Sequence, residues 1–257
     1  MKLLIHIAYV GTKYCGYQVQ SNAPSIQKEL NRATEALFGY PCDIVGCSRT
    51  DSGVHARDFC ATIAKRGTNE LITDLSPERL PQALSAHLPE DIRVFFAEWV
   101  PPDFHARYDV SEKEYIYRVY NAPVMDPFEL ERAWHFPKKI DAQGLERMKE
   151  AAAGFLGTHD FSAFMAQGSR VENTVRTIKK SQIEIEDHII LYRVAADGFL
   201  YNMVRIIVGT LIDVSVGKIL PEEIPGILEG KDRAAAGQTA PACGLYLNRV
   251  QYPKQKF

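Results

Sequence analysis

The residues best suited to chemistry stand together in Cys47-Ser48-Arg49-Thr50-Asp51-Ser52-Gly53-Val54-His55-Ala56. A carboxylate held in a turn can attack an electron-poor carbon as a nucleophile or remove a proton as a base. Asp51 is such a carboxylate, with a guanidinium two residues before it and an imidazole four residues after. The same stretch also reads as a plain turn. Asp-Ser-Gly favours tight turns, and Asp51 would then bond its own backbone while Arg49 and His55 serve as surface and loop residues.

Other chemistries find less support. The cysteines Cys15, Cys42, Cys47, Cys60 and Cys243 form no Cys-x-x-Cys pair, so neither a disulfide framework nor a zinc knuckle is expected. No two histidines have the spacing of metal ligands on one helix face, so no metal is expected, although residues distant in sequence can converge. Gly11 and Gly16 have phosphate-loop spacing, but Tyr17 stands where lysine is required, and Gly217-Lys218 is followed by Ile219. A nucleoside-triphosphatase reading is therefore rejected. The net charge of −2 carries no global basic signature, so any polyanion must be held by local patches such as Arg170 with Arg176 or Lys179-Lys180. The apolar run 206–212 is far too short to span a membrane, and residues 1–8 lack the features of a signal peptide. A cytoplasmic protein with no membrane contact is expected.

The elements that must carry these residues follow from periodicity. With 46% hydrophobic and 24% charged residues, the composition is that of an ordinary globular protein. Residues 3–8 alternate as a strand, and Ile26, Leu30, Ala33 and Leu37 recur as a helix closed by Gly39. Strands are expected at 44–47, 59–64 and 92–100, with a helix over 77–88 started by Ser76 and Pro77. After the loop at Pro101-Pro102-Asp103, a strand over 114–120 is rich in tyrosine. A helix over 141–155, a hairpin over 177–195 turning at 186–188, helices around 200–211 and 221–228, and a closing strand over 244–250 complete the second half. The fold class is α+β, that is, mixed α/β. Two related halves, 1–105 and 106–257, are expected to form one continuous, mainly antiparallel sheet with helices packed on one side.

A specific resemblance changes the weight of the turn reading. Arg49-Thr50-Asp51-Ser52-Gly53-Val54-His55-Ala56 resembles the signature of the TruA family of tRNA pseudouridine synthases, which usually has alanine where Ser52 stands. Further matches run in order along almost the whole chain. They include Gly16-Tyr17-Gln18, Phe104-His105-Ala106-Arg107-Tyr108 and Tyr115-Ile116-Tyr117-Arg118-Val119-Tyr120. His159-Asp160-Phe161-Ser162, Met203-Val204-Arg205-Ile206-Ile207-Val208-Gly209 and Gly244-Leu245-Tyr246-Leu247 follow.

The resemblance implies a pseudouridine synthase fold and isomerisation of uridine to pseudouridine at positions 38, 39 and 40 in the anticodon stem-loop of tRNA. Uracil leaves ribose at N1, turns, and rejoins through C5, with no cofactor and no metal. Asp51 is then the catalytic carboxylate, attacking C1′ or removing the C2′ proton. Tyr115 stacks on the base and helps move the C5 proton, whereas a strand tyrosine packed in the core is the plainer reading, especially for Tyr117 and Tyr120. Arg205 pairs with Asp51; periodicity alone sets it opposite an apolar face formed by Leu200, Met203 and Ile207. Arg49 holds the backbone vacated by a flipped base. Phe104, His105, Ala106, Arg107 and Tyr108, with Gly168, Ser169, Arg170, Val171 and Glu172, match segments that contact tRNA. A homodimer with one tRNA lying across both subunits is also implied. His55 is expected to make a structural hydrogen bond rather than to act as an acid or base.

The rival readings are a noncatalytic RNA-binding or chaperone module on the same fold and a paralogous synthase acting on another RNA. Glycoside hydrolysis is a third. It wants a second, partnered acid, for which Asp58 is the one neighbouring carboxylate, and it would release free uracil.

Overall fold

The computed structural model describes residues 1–168 and 171–253. It is mixed α/β, with a large, mostly antiparallel sheet and few helices. Among the described residues there are ten strands: β1 (Lys2–Tyr9), β2 (Cys42–Gly46), β3 (His55–Lys65), β4 (Ile92–Val100), β5 (Glu112–Tyr120), β6 (Trp134–His135), β7 (Gly157–Asp160), β8 (Val175–Glu186), β9 (Ile189–Ala196) and β10 (Leu245–Gln251). The α-helices are α1 (Ile26–Phe38), α2 (Leu80–Ser85), α3 (Ala142–Ala153), α4 (Met203–Ser215) and α5 (Ile224–Gly230). The chain divides into two compact units, Met1–Ser111 with Tyr246–Phe257, and Glu112–Leu245. This differs from the expected division at 105/106. The last strand returns to the first unit, because β10 runs parallel to β3 with Tyr246 opposite His55 and Leu247 opposite Ala56.

In the first unit the strand order is β4-β1-β3-β10, and β2 also pairs with β3. β1 is antiparallel to both β3 and β4, and Leu3, Leu4, Ile5 and Ile7 are fully buried between them. α1 begins where the Ser25 side chain accepts from the Lys28 N–H and ends at Gly39 in the left-handed region (φ 74°), as the sequence suggested. α2 is shorter than expected. Pro81 has no N–H to bond the carbonyl of Pro77, so residues 77–79 form only a turn closed by Arg79 N–H to Ser76 O (3.0 Å). β2 pairs with the far end of β3, Cys42 opposite Lys65 and Gly46 opposite Ala61. It stops there, and residues 47–54 loop out before β3 begins.

In the second unit the order is β5-β9-β8-β7, with the short β6 beside β5. The β8–β9 hairpin turns at Asp187, which takes a left-handed backbone (φ 51°). The Asp141 side chain caps α3 by accepting from Gly144 N–H (2.7 Å). From β5 onward the chain repeats the order of its first half, β1-α1-β2-β3-α2-β4, as β5-α3-β8-β9-α4-β10, with the short β6 and β7 inserted on either side of α3. α4 also corrects an expectation. It is more buried than an apolar face of Leu200, Met203 and Ile207 alone implies: its residues are buried all round except Arg205 and Asp213, which are half-buried. A helix apolar on every side is a core helix.

Candidate active site

The loop bearing Asp51 is held by a second loop, residues 9–17, through contacts that the sequence hides. The Tyr9 hydroxyl bonds Thr50 Oγ1 at 2.8 Å. Tyr17 N–H donates to Thr50 O (3.1 Å), and Gly53 N–H donates to Tyr14 O (3.3 Å). The Ser52 hydroxyl, at the position usually taken by alanine, also donates to Tyr14 O (3.3 Å). Val54 N–H closes the turn on Asp51 O (3.2 Å), with Gly53 at φ 79°. Thr50 is buried and Asp51 half-buried.

Two glycines permit this clamp. A Cβ on Gly11 would lie 2.0 Å from Val54 O, and one on Gly16, itself at φ 89°, would lie 2.6 Å from Thr50 O. The spacing that imitates a phosphate loop therefore serves close backbone approach. His55 is 1% exposed. Its Nδ1 accepts from Gly11 N–H at 3.0 Å, and its ring stacks on Tyr246 at 4.6 Å. That is the structural role expected of it.

Arg49 emerges from the same loop into a cleft that it lines with Tyr17, Ser48, His105, Arg107 and Tyr108. The structure thus brings together residues fifty-odd positions apart in the sequence. The 104–108 segment divides by burial. Phe104 and Ala106 are 1% and 0% exposed, so their side chains anchor the segment. Phe104 packs on Tyr252 (5.0 Å), and the Tyr252 hydroxyl donates to Ala106 O (2.7 Å). His105 Nδ1 accepts from Arg107 N–H (3.1 Å) and Tyr108 N–H (3.3 Å). Arg107 is exposed and Tyr108 is 76% exposed. The guanidinium carbon of Arg107 lies 5.8 Å from the Tyr108 ring centroid. A cation and an open aromatic face are what a nucleic-acid backbone and an unstacked base engage.

The second unit carries Tyr115 and Arg205. Tyr115, on β5 opposite Val194, is 7% exposed and meets Phe199 edge-on at 5.0 Å. Tyr117 and Tyr120 are buried, as expected of core residues. The Tyr117 hydroxyl donates to Pro241 O (2.7 Å), and burial pushes its pKa far up. Arg205 Nε donates to Ala240 O and its NH1 to Asn202 Oδ1, each at 2.7 Å. Residues 237–240 reach α4 because Gly209 and Gly237 allow it: a Cβ on Gly209 would lie 1.8 Å from Gln238 O.

Among the tRNA-contact expectations, Gly168, Val171 and Glu172 are exposed, while Ser169 and Arg170 lie outside the described residues. Asp160 closes the base of that segment. It accepts from Thr174 Oγ1 (2.6 Å) and Ser162 N–H (3.0 Å), and Lys231 pairs with it at 2.8 Å. The Lys231 ammonium and then the Thr174 hydroxyl hold its carboxyl well below the usual range. The sequence singled out this motif only through resemblance. Among the described residues, no helix is long and apolar enough to cross a membrane.

A family model described as tRNA pseudouridine synthase matches residues 5–109 and 151–253. The tRNA pseudouridine synthase A of Acetivibrio thermocellus is 46% identical over 252 residues, covering 98% of this chain and 99% of the relative. That of Ruminiclostridium cellulolyticum is 42% identical over 254 residues, with 98% and 99% covered. The Thermoanaerobacter sp. protein of the same name is 43% identical over 250 residues, with 97% and 99% covered.

Proposed function

Because the chain belongs to the tRNA pseudouridine synthase family, we propose that it isomerises uridine to pseudouridine at positions 38, 39 and 40 of the tRNA anticodon stem-loop. The N1–C1′ bond breaks and a C5–C1′ bond forms. The proton from C5 is finally replaced by one on N1, so substrate and product are isomers.

Asp51 supplies the carboxylate, by attack on C1′ or removal of the C2′ proton. Tyr115 stacks on the target base and assists loss of the C5 proton. Arg205 keeps the Asp51 carboxylate ionised and oriented. Arg49 holds the backbone of the flipped nucleotide, while Arg107 and Tyr108 grip the arm. Gly168, Val171 and Glu172 belong to a second gripping segment. The enzyme works in the cytoplasm as a homodimer, which pools two local cationic surfaces on a chain of net charge −2.

One observation carries the reading: Asp51 sits on a loop clamped by residues 9–17, and the same loop opens through Arg49 onto a cleft lined by Arg107 and Tyr108. Carbodiimide-dependent reverse-transcription stops, mapped in total RNA with and without the protein, test it. New stops at positions 38–40 of tRNAs are expected. Stops confined to another RNA would transfer the activity to that substrate, and no new stops would remove it.

A further inference from the structure

Three side chains that the proposed reaction does not use meet on one face of the first unit's sheet. His6 on β1 is the register partner of Cys60 on β3. Asp58 stands two residues before Cys60, so the period of the strand turns both to the same face. His6 Nδ1 lies 2.7 Å from Asp58 Oδ1. Cys60 Sγ lies 3.5 Å from that nitrogen and 3.8 Å from that oxygen. We propose that His6, Asp58 and Cys60 form a binding site for a zinc-like divalent cation that joins β1 to β3.

The spacing suits such an ion. Zinc bonds of roughly 2.0–2.3 Å in a tetrahedron separate ligand atoms by roughly 3.3–3.6 Å. The sulfur-to-nitrogen distance is already there, and the sulfur-to-oxygen distance is close to it. The nitrogen and oxygen need only exchange their mutual hydrogen bond for the ion. Thiolate and imidazole also select a zinc-like ion over magnesium or calcium.

The surroundings resemble the outer shell of a metal site. Glu98 Oε1 lies 4.0 Å from the other ring nitrogen of His6, and a metal-bound histidine commonly turns its free N–H toward a carboxylate. The rings of Phe95 and Phe96 stand 6.0 and 5.3 Å from His6, shielding one side. Cys60 is fully buried, whereas the His6 and Asp58 side chains are 17% and 21% exposed, so solvent and the ion enter over the latter pair. Water completes the tetrahedron.

The proton balance is simple. The Cys60 thiol enters as S–H and must lose its proton to become a ligand. Metal uptake sends that proton to solvent. The imidazole proton moves from Nδ1 to Nε2, toward Glu98. One proton, that of the thiol, is therefore released per ion. The titratable groups facing the site are His6, Asp58, Cys60, Cys47, Glu98 and Tyr252. The ion takes no part in the isomerisation.

The full chain, stripped with a chelator and dialysed, should be titrated with cobalt(II) in a spectrophotometer and with zinc by calorimetry in two buffers of different ionisation enthalpy. One ion per chain, a thiolate-to-cobalt absorption band and about one proton released are expected. Cys60→Ser should abolish the band, and Asp58→Asn should weaken binding by at least about tenfold. If Cys60→Ser loses its native circular dichroism, His6→Gln carries the same expected loss. Absence of binding at micromolar concentrations would overturn the site. So would an unchanged band and affinity in the folded variants, which would show that the ion sits elsewhere and that His6 and Asp58 are a plain ion pair.

Discussion

Arg49 and Arg205 carry the same charge but are held in opposite ways. Arg205 is half-buried, with its guanidinium fixed by Ala240 O and Asn202 Oδ1, whereas Arg49 is exposed at the lip of a cleft. A fixed cation suits orientation of a carboxylate, and an exposed one suits an RNA backbone after the base has left. Arg49→Ala should therefore slow single-turnover modification mainly when the target uridine is paired, because opening the stem costs a few kcal/mol. Arg205→Ala should slow paired and unpaired targets alike. Equal losses for Arg49→Ala on both RNAs would place Arg49 in the chemistry instead. Asp51, Arg49 and His55 were legible in the sequence because one motif holds all three. The anchors of Arg205 were not, since Ala240 contributes only a backbone carbonyl, which leaves no mark in residue type.

At the scale of elements, the clamp between residues 9–17 and 47–54 is where sequence reading failed most instructively. The spacing of Gly11 and Gly16 imitates an imperfect phosphate loop, yet these glycines are what lets the two backbones touch. Gly16→Ala would force a Cβ to 2.6 Å from Thr50 O at a positive φ. It should cost about 1–3 kcal/mol of stability and cut turnover by more than that loss explains. Gly39→Ala has a similar φ of 74° but nothing within 4 Å of its new Cβ, so it should cost about 1 kcal/mol and leave the rate unchanged. Thermal midpoints and single-turnover rates for both variants decide the matter, and equal activity losses would contradict the clamp. Asp160 offers a pH test. Its folded pKa is depressed by Lys231 and Thr174 below the ordinary 3.8, so its stabilisation is complete above that value and is lost as pH falls toward the depressed one. The midpoint gap between the wild type and Asp160→Asn should narrow as pH drops from 6 toward 2. A constant gap would mean that the ionised carboxylate contributes nothing.

At the scale of the whole molecule, a chain of net charge −2 must bind a polyanion through a few placed cations. Replacing Arg107 by alanine should weaken tRNA binding uniformly across tRNAs and reduce the salt slope of the affinity by about 1; an unchanged slope would remove Arg107 from the phosphate contacts. The order of elements in the first unit was readable, because β1, α1 and β4 have strong periodicity and clear stops. In the second unit, β6 and β7 are two and four residues long, too short for any period to show. The end of the chain returns to β3 by parallel pairing, a long-range partnership that no local pattern encodes. Asp51 remains the residue on which the account depends. The most direct measurement is single-turnover pseudouridine formation by Asp51→Asn, with tRNA affinity determined on the same preparation. The amide keeps the shape of the side chain but loses its nucleophilicity and basicity, so formation should vanish while affinity stays within a few fold of wild type. Turnover near the wild-type rate by the folded variant would contradict the assignment of Asp51 as the catalytic carboxylate.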